Sequence, residues 1–98
     1  MSEDRTPCRT PNADGVTNIP TWKFQAVRTA ILAAVDAAGD EGLPFSAVSA
    51  EVKSRLNADD LARLGSVGWH ATSVKLELEV RGEIARMDGI SPQRIART

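Results

Sequence analysis

Few side chains in this sequence have the type and spacing for chemistry. His70 is the single histidine and Cys8 the single cysteine. A structural zinc site takes four closely spaced Cys, His or carboxylate ligands, and neither residue has a second His or Cys beside it. No metal site is expected, and no cofactor. One cysteine also rules out an internal disulfide. General-base work by His70 would need a nucleophile and an orienting group within reach, and no motif supplies them. A Gly-rich phosphate loop, a nucleophile elbow and a paired-carboxylate site are all missing. The chain reads as a non-enzyme, with His70 a surface or capping residue and Cys8 an incidental free thiol.

The side chains left to consider make contacts rather than react. The 98 residues, 42% hydrophobic and 26% charged, suit one small globular domain. No run approaches the ~18 apolar residues that span a bilayer. The opening Met1-Ser2-Glu3-Asp4-Arg5 lacks the apolar segment of a secretory signal. A cytoplasmic protein without membrane attachment is expected. The formal charge of −1 weighs against an obligate nucleic-acid binder. Its distribution is uneven, because residues 81–98 carry four Arg against two acids while the rest of the chain is net acidic.

The elements that would carry these contacts follow from periodicity and punctuation. Residues 1–18, with Pro7, Pro11, Asn12 and Gly15, offer little to bury and read as a flexible or loosely docked tail ahead of a domain spanning 19–98. A helix begins at Pro20–Thr21, with Thr21 as N-cap, and ends at Gly39; Phe24, Val27, Ile31, Leu32 and Val35 line one face. A second helix covers about 45–56, with Phe45, Val48, Val52 and Leu56 as its stripe. Asn57 caps a short helical turn through Leu61 and Leu64, with Asp60 at the third position. The stretch Val74-Lys75-Leu76-Glu77-Leu78-Glu79-Val80 alternates as a strand would. Its flanks favour a third helix, because Ser66 can cap it, Ala71 suits it and Gly82 can end it. As a helix it is apolar on two faces, Ala71, Val74 and Leu78 on one and Leu76 and Val80 on the other. A hairpin follows, with strands over 83–87 and 91–97 around the Asp88-Gly89 turn. The fold class is mainly α with a small β-hairpin.

Helix, helix, short connector, helix and hairpin is the order of a winged-helix domain, three helices plus a two-stranded wing. The junction Leu78-Glu79-Val80-Arg81-Gly82-Glu83-Ile84 resembles the passage from third helix into wing in bacterial winged helix-turn-helix regulators. A closer resemblance, from Thr6 to Arg97, is to a family of short uncharacterised bacterial proteins. Its marks here are Thr6-Pro7, Asn18-Ile19, Val27-Arg28-x-Ala30-Ile31-Leu32, Gly68-Trp69, Val74-Lys75-Leu76-x-Leu78-Glu79, Arg81-Gly82-Glu83-Ile84 and Ser91-Pro92-Gln93-Arg94. The winged-helix resemblance implies double-stranded DNA as partner, read by the third helix. His70, Thr72, Ser73 and Lys75 would then face bases or phosphates, while Arg86, Arg94 and Arg97 would hold phosphates from the wing. The second reading of the same scaffold is a homodimer or protein partner held by Trp69, Leu76 and Val80. That second apolar face has three outcomes open to it. It can pack under the wing or the N-terminal segment, meet a partner, or belong to a strand.

Overall fold

The structure is a computed structural model that describes residues 4–11, 14–89 and 92–98. In chain order the elements are β1 (Arg5–Arg9), β2 (Val16–Pro20), α1 (Thr21–Ala38), β3 (Leu43–Pro44), α2 (Val48–Arg55), α3 (Ala58–Leu64), α4 (Val67–Arg81), β4 (Ile84–Arg86) and β5 (Arg94–Arg97). β1 and β2 form one antiparallel pair, and β3, β5 and β4, in that spatial order, form a second antiparallel sheet. The chain is therefore mainly helical with small antiparallel sheets. No helix among the described residues is long and apolar enough to cross a membrane.

The helices stand where their apolar periodicity puts them. Phe24, Val27, Ile31 and Val35 of α1 are buried against α2, α4 and β5. Asn57 caps α3 by accepting the Asp60 N–H at 2.8 Å, and Ser66 caps α4 by accepting the Trp69 N–H at 3.1 Å. Gly82 ends α4 in the left-handed conformation (φ 77°, ψ 18°). Its N–H reaches the Glu79 carbonyl and the Glu83 N–H reaches that of Leu78, a paired closure that satisfies the last turn and turns the chain into β4. The alternating stretch 74–80 thus lies in a helix. Val74 and Leu78 fill the core from one side, and the intervening Lys75 and Glu77 are also buried, each in an ion pair. Strand-like alternation arises here because the helix is covered on more than one side.

Several boundaries depart from the sequence reading. Residues 5–9 and 16–18, expected in a flexible or loosely docked tail, belong to a hairpin that pairs 5–9 with 16–20 and whose inner face buries Cys8 (5% exposed) and Ile19 (1%) in the main core. The expected boundary at 18/19 falls inside β2. Thr21 is the first helical residue rather than the N-cap, a position held by Pro20. The hairpin supplies what a cap would: the Thr21 N–H donates to the Asp4 carbonyl at 2.8 Å, and its hydroxyl lies 3.0 Å from that of Thr6. The second helix starts as a 3-10 turn at Phe45–Ala47, and a third strand, β3, joins the C-terminal hairpin. The hairpin strands are shorter than expected, and Ser91, at the expected start of the second, lies outside the described residues.

Gly42, just before β3, shows how closely that sheet is fitted. It has φ 78°, and an added Cβ would overlap the Met87 sulfur and come within 3.1 Å of the Ile95 carbonyl oxygen. Gly82 has a similar φ but open space around it. Gly82→Ala should cost only the left-handed backbone penalty, about 1–2 kcal/mol, and lower the melting temperature by roughly 4–8 °C per kcal/mol. Gly42→Ala should cost more, because β5 or Met87 must also move. Thermal melts of the two variants check this ordering, and equal losses would contradict it.

Candidate functional site

α4 carries most of the residues singled out from sequence, and its sides have different chemistry. One flank is organised by Glu77, whose side chain is wholly buried. Arg9 holds it three ways: its backbone N–H at 2.8 Å, its Nε at 3.0 Å and its Nη2 at 2.8 Å. Arg81, one turn on, donates a fourth hydrogen bond at 2.8 Å. Burial alone would push the Glu77 carboxyl up, but the hydrogen bonds from Arg9 and Arg81 outweigh it and hold the group at about 2. Cys8 sits in the same region. Burial first, and then the Glu77 charge, push its thiol up to about 11, so it stays protonated and inert at neutral pH rather than serving as a reactive thiol.

The opposite flank is a second ionic cluster. Lys75, 6% exposed, donates to Glu79 at 2.9 Å and lies 3.8 Å from the centre of the Phe45 ring. Arg86 reaches the other Glu79 oxygen at 2.8 Å and the same ring at 5.3 Å. One carboxylate and one ring thus engage both cations. Arg28 and Glu83 tie α1 to the residue before β4, and this holds the Glu83 carboxyl below its usual range.

The residues nominated for DNA are therefore not gathered into a basic surface. Lys75 is buried and paired, and His70 is buried, with its Nδ1 2.7 Å from the Ser66 carbonyl. Arg86 is paired with Glu79, Arg94 donates weakly to the carbonyls of Glu41 and Gly42, and Arg97 lies 3.7 Å from Asp36. Thr72 is exposed and Ser73 half-buried. These two share a helical stripe with Trp69 and Leu76, spaced i, i+3, i+4 and i+7 from residue 69. Trp69 keeps 48% of its surface exposed and sets its ring edge-on to His70, with centroids 4.8 Å apart. Leu76 is half-buried. Val80, also half-buried, forms a wall of an open groove of about 450 Å³ beside Arg9, Pro11 and Val16, so this end of the second apolar face runs partly beneath the N-terminal hairpin. The outward stripe of α4 carries no charge of its own.

Sequence reasoning missed Arg9, Glu77 and Arg81 as a unit. The i, i+4 spacing of Glu77 and Arg81 was a legible signal; nothing local links either to Arg9, 68 positions away. Among the described residues no group of three or more His, Cys, Asp or Glu is placed to hold a metal ion.

The Glu77 clamp has a measurable signature. Because the folded carboxyl titrates at about 2 against an ordinary 4.5, its stabilisation is complete above about pH 4.5 and is lost as pH falls toward 2. Glu77→Gln leaves two partly exposed arginines facing a neutral group and should cost about 1–3 kcal/mol at pH 7. Urea unfolding at pH 7 and pH 3 should show the gap between wild type and variant narrowing at the lower pH. Equal stabilities at pH 7 would remove the clamp from the account.

No curated protein and no solved structure matches this chain. One family does: the pattern of DUF6958, a family of unknown function, matches residues 5–95, and the chain belongs to that family.

Proposed function

We propose that this chain is a protein-interaction module on a winged-helix scaffold, in which the outward stripe of α4 contacts a protein surface of apolar and uncharged polar groups. The scaffold reading is supported by the order of α1, α2, the short connecting α3 and α4, by the Gly82 turn into β4, and by the antiparallel return of β5. One observation carries the functional half. Where a reader of DNA would present cations, α4 presents Trp69, Thr72, Ser73 and Leu76, while Lys75 is buried and Arg86 is held by Glu79. Phosphate contacts draw on exposed Lys and Arg; an exposed Trp among uncharged neighbours is the composition of a protein-contact centre.

DNA binding is the second reading. It is supported by Arg86 and Arg97, whose side chains keep 50% and 47% of their surface exposed despite their carboxylate partners.

Two measurements separate these readings. A photoreactive residue at Thr72 should give a discrete cross-linked protein product in cells, absent from the same group at exposed Ala33 on α1. Trp69→Ser and Leu76→Asp, each checked by melting for retained fold, should abolish it. Cross-linking that survives both substitutions, or none at Thr72, would overturn the α4 contact. Titration with duplex DNA at low salt should show no binding; salt-sensitive binding weakened by Arg86→Ala and Arg94→Ala would move the conclusion to the second reading.

A further inference from the structure

The N-terminal hairpin has two outer edges, and they are not alike. In an antiparallel pair, residues alternate between those whose backbone groups bond the neighbouring strand and those whose groups point away. The Thr21 N–H bonds the Asp4 carbonyl, and the Arg9 N–H points instead to Glu77. These two bonds set the phase: even-numbered residues of β1 face β2, and odd-numbered ones face outward. The register then places Arg9 opposite Val16, Pro7 opposite Asn18 and Arg5 opposite Pro20, all at outward-facing positions. Both prolines of the hairpin strands thus sit where no ladder N–H is needed.

The outer edge of β1 is closed by these features. Pro7 has no N–H to offer, and the N–H of Arg9 is consumed by Glu77. The outer edge of β2 is open. Val16 and Asn18 direct their N–H and C=O groups outward, Val16 to Asn18 are all exposed, and among the described residues neither Val16 nor Asn18 has another backbone partner. Soluble proteins protect such edges with charge, proline or a bulge. β2 has only Pro20, at its end, and no charged residue from Val16 onward.

We propose that the occupant of this edge is a second copy of the chain, paired antiparallel through β2 about a two-fold axis at Thr17, to give a four-stranded sheet in the order β1, β2, β2 of the second copy, β1 of the second copy. Self-complementarity argues for it. Centred on Thr17, the pairing sets Val16 of each copy opposite Asn18 of the other, so four outward hydrogen bonds form. Centring it on Asn18 would instead bring Pro20 into the ladder and waste donors. Thr17 then meets its own equivalent at a closely spaced pair, a favourable threonine cross-strand contact. No like charges meet, because β2 is uncharged. Asp14 of each copy instead lies toward the end of the partner hairpin that carries Arg5. Thr17 points to the α4 side of the hairpin yet is exposed, so the body of the domain does not extend beneath this edge. The proposal uses a different element from the α4 stripe and stands or falls apart from it.

Sedimentation of the full chain should show a concentration-dependent species of twice the chain's mass. Asn18→Pro removes one outward N–H per copy without touching the β1–β2 ladder. It should raise the dimer dissociation constant by about 10- to 100-fold, for two hydrogen bonds lost per dimer. Thr17→Glu, which sets like charges face to face, should do the same if the proline variant fails to fold. The register has its own test in a Cys8→Ala background, chosen because Cys8 is the cross-strand neighbour of Thr17. Thr17→Cys should oxidise to a disulfide-linked dimer, since closely spaced pairs put Cα atoms about 4.5 Å apart, and Val16→Cys should not. A chain monomeric at all concentrations, or a dimer indifferent to both edge substitutions, would overturn the proposal. Cross-linking at Val16 instead of Thr17 would overturn the register.

Discussion

The structure depends on burying a helix whose sequence is polar on its flanks. α4 lends Ala71, Val74 and Leu78 to the core, as a helix with one apolar stripe would. It is also covered at Lys75 and Glu77, and a buried charge is tolerated only when it is paired and hydrogen-bonded. Each has its own solution. Lys75 is met within the helix by Glu79 and covered by the Phe45 ring; Glu77 is met within the helix by Arg81 and from outside by Arg9. The second solution reaches across the molecule, and it makes the N-terminal hairpin part of the domain.

An isolated two-stranded hairpin is marginal in water. This one brings two apolar side chains, Cys8 and Ile19, to the core. Its remaining attachment is polar: the Arg9–Glu77 fork, the Thr6–Thr21 hydroxyl contact and the Asp4 carbonyl that receives the first N–H of α1. Hairpin and α4 are mutually dependent. Without β1, Glu77 would keep only Arg81; without Glu77, the outward N–H of Arg9 and its guanidinium would lose their acceptor. Interactions that are each needed to satisfy the other make one cooperative unit of segments far apart in sequence.

This interdependence explains what could be read from the residues alone. Helix α1 is legible because its stripe repeats at 3.6 residues and Gly39 stops it. The caps at Asn57 and Ser66 and the closure at Gly82 are legible because each is local. The hairpin over residues 5–20 is not. The segment holds three prolines, Pro7, Pro11 and Pro20, and few large apolar residues, so the local signal is that of a loop. What orders it is a carboxylate 68 positions away. β3 is hidden for a similar reason, since two residues form a strand only because β5 runs beside them. At the candidate site, the shared stripe of Trp69, Thr72, Ser73 and Leu76 follows from helical phase, but how far each is covered does not: Trp69 and Thr72 are exposed, and Ser73 and Leu76 half-buried. Nor does the loss of Lys75 as a contact residue, because it needs the position of Phe45, which belongs to another element.

The same pairing bears on which contacts the α4 surface would favour. A cation attracts phosphate through the field it projects into solvent. A carboxylate at 2.8 Å cancels most of that field at the distance of an approaching backbone, and the low dielectric around a half-buried pair strengthens the internal bond at the expense of the external one. Arg86 keeps half its surface exposed, but that surface belongs to a guanidinium already engaged by Glu79, whose other oxygen holds Lys75. The terminal Nη groups of Arg86 could still reach a phosphate, but its charge is already offset by Glu79, so that contact would gain little net attraction. To contact a protein, Trp69 and Leu76 need give up nothing but water. The cheaper contact for α4 is the apolar one, and the ionic clusters on its flanks make it so.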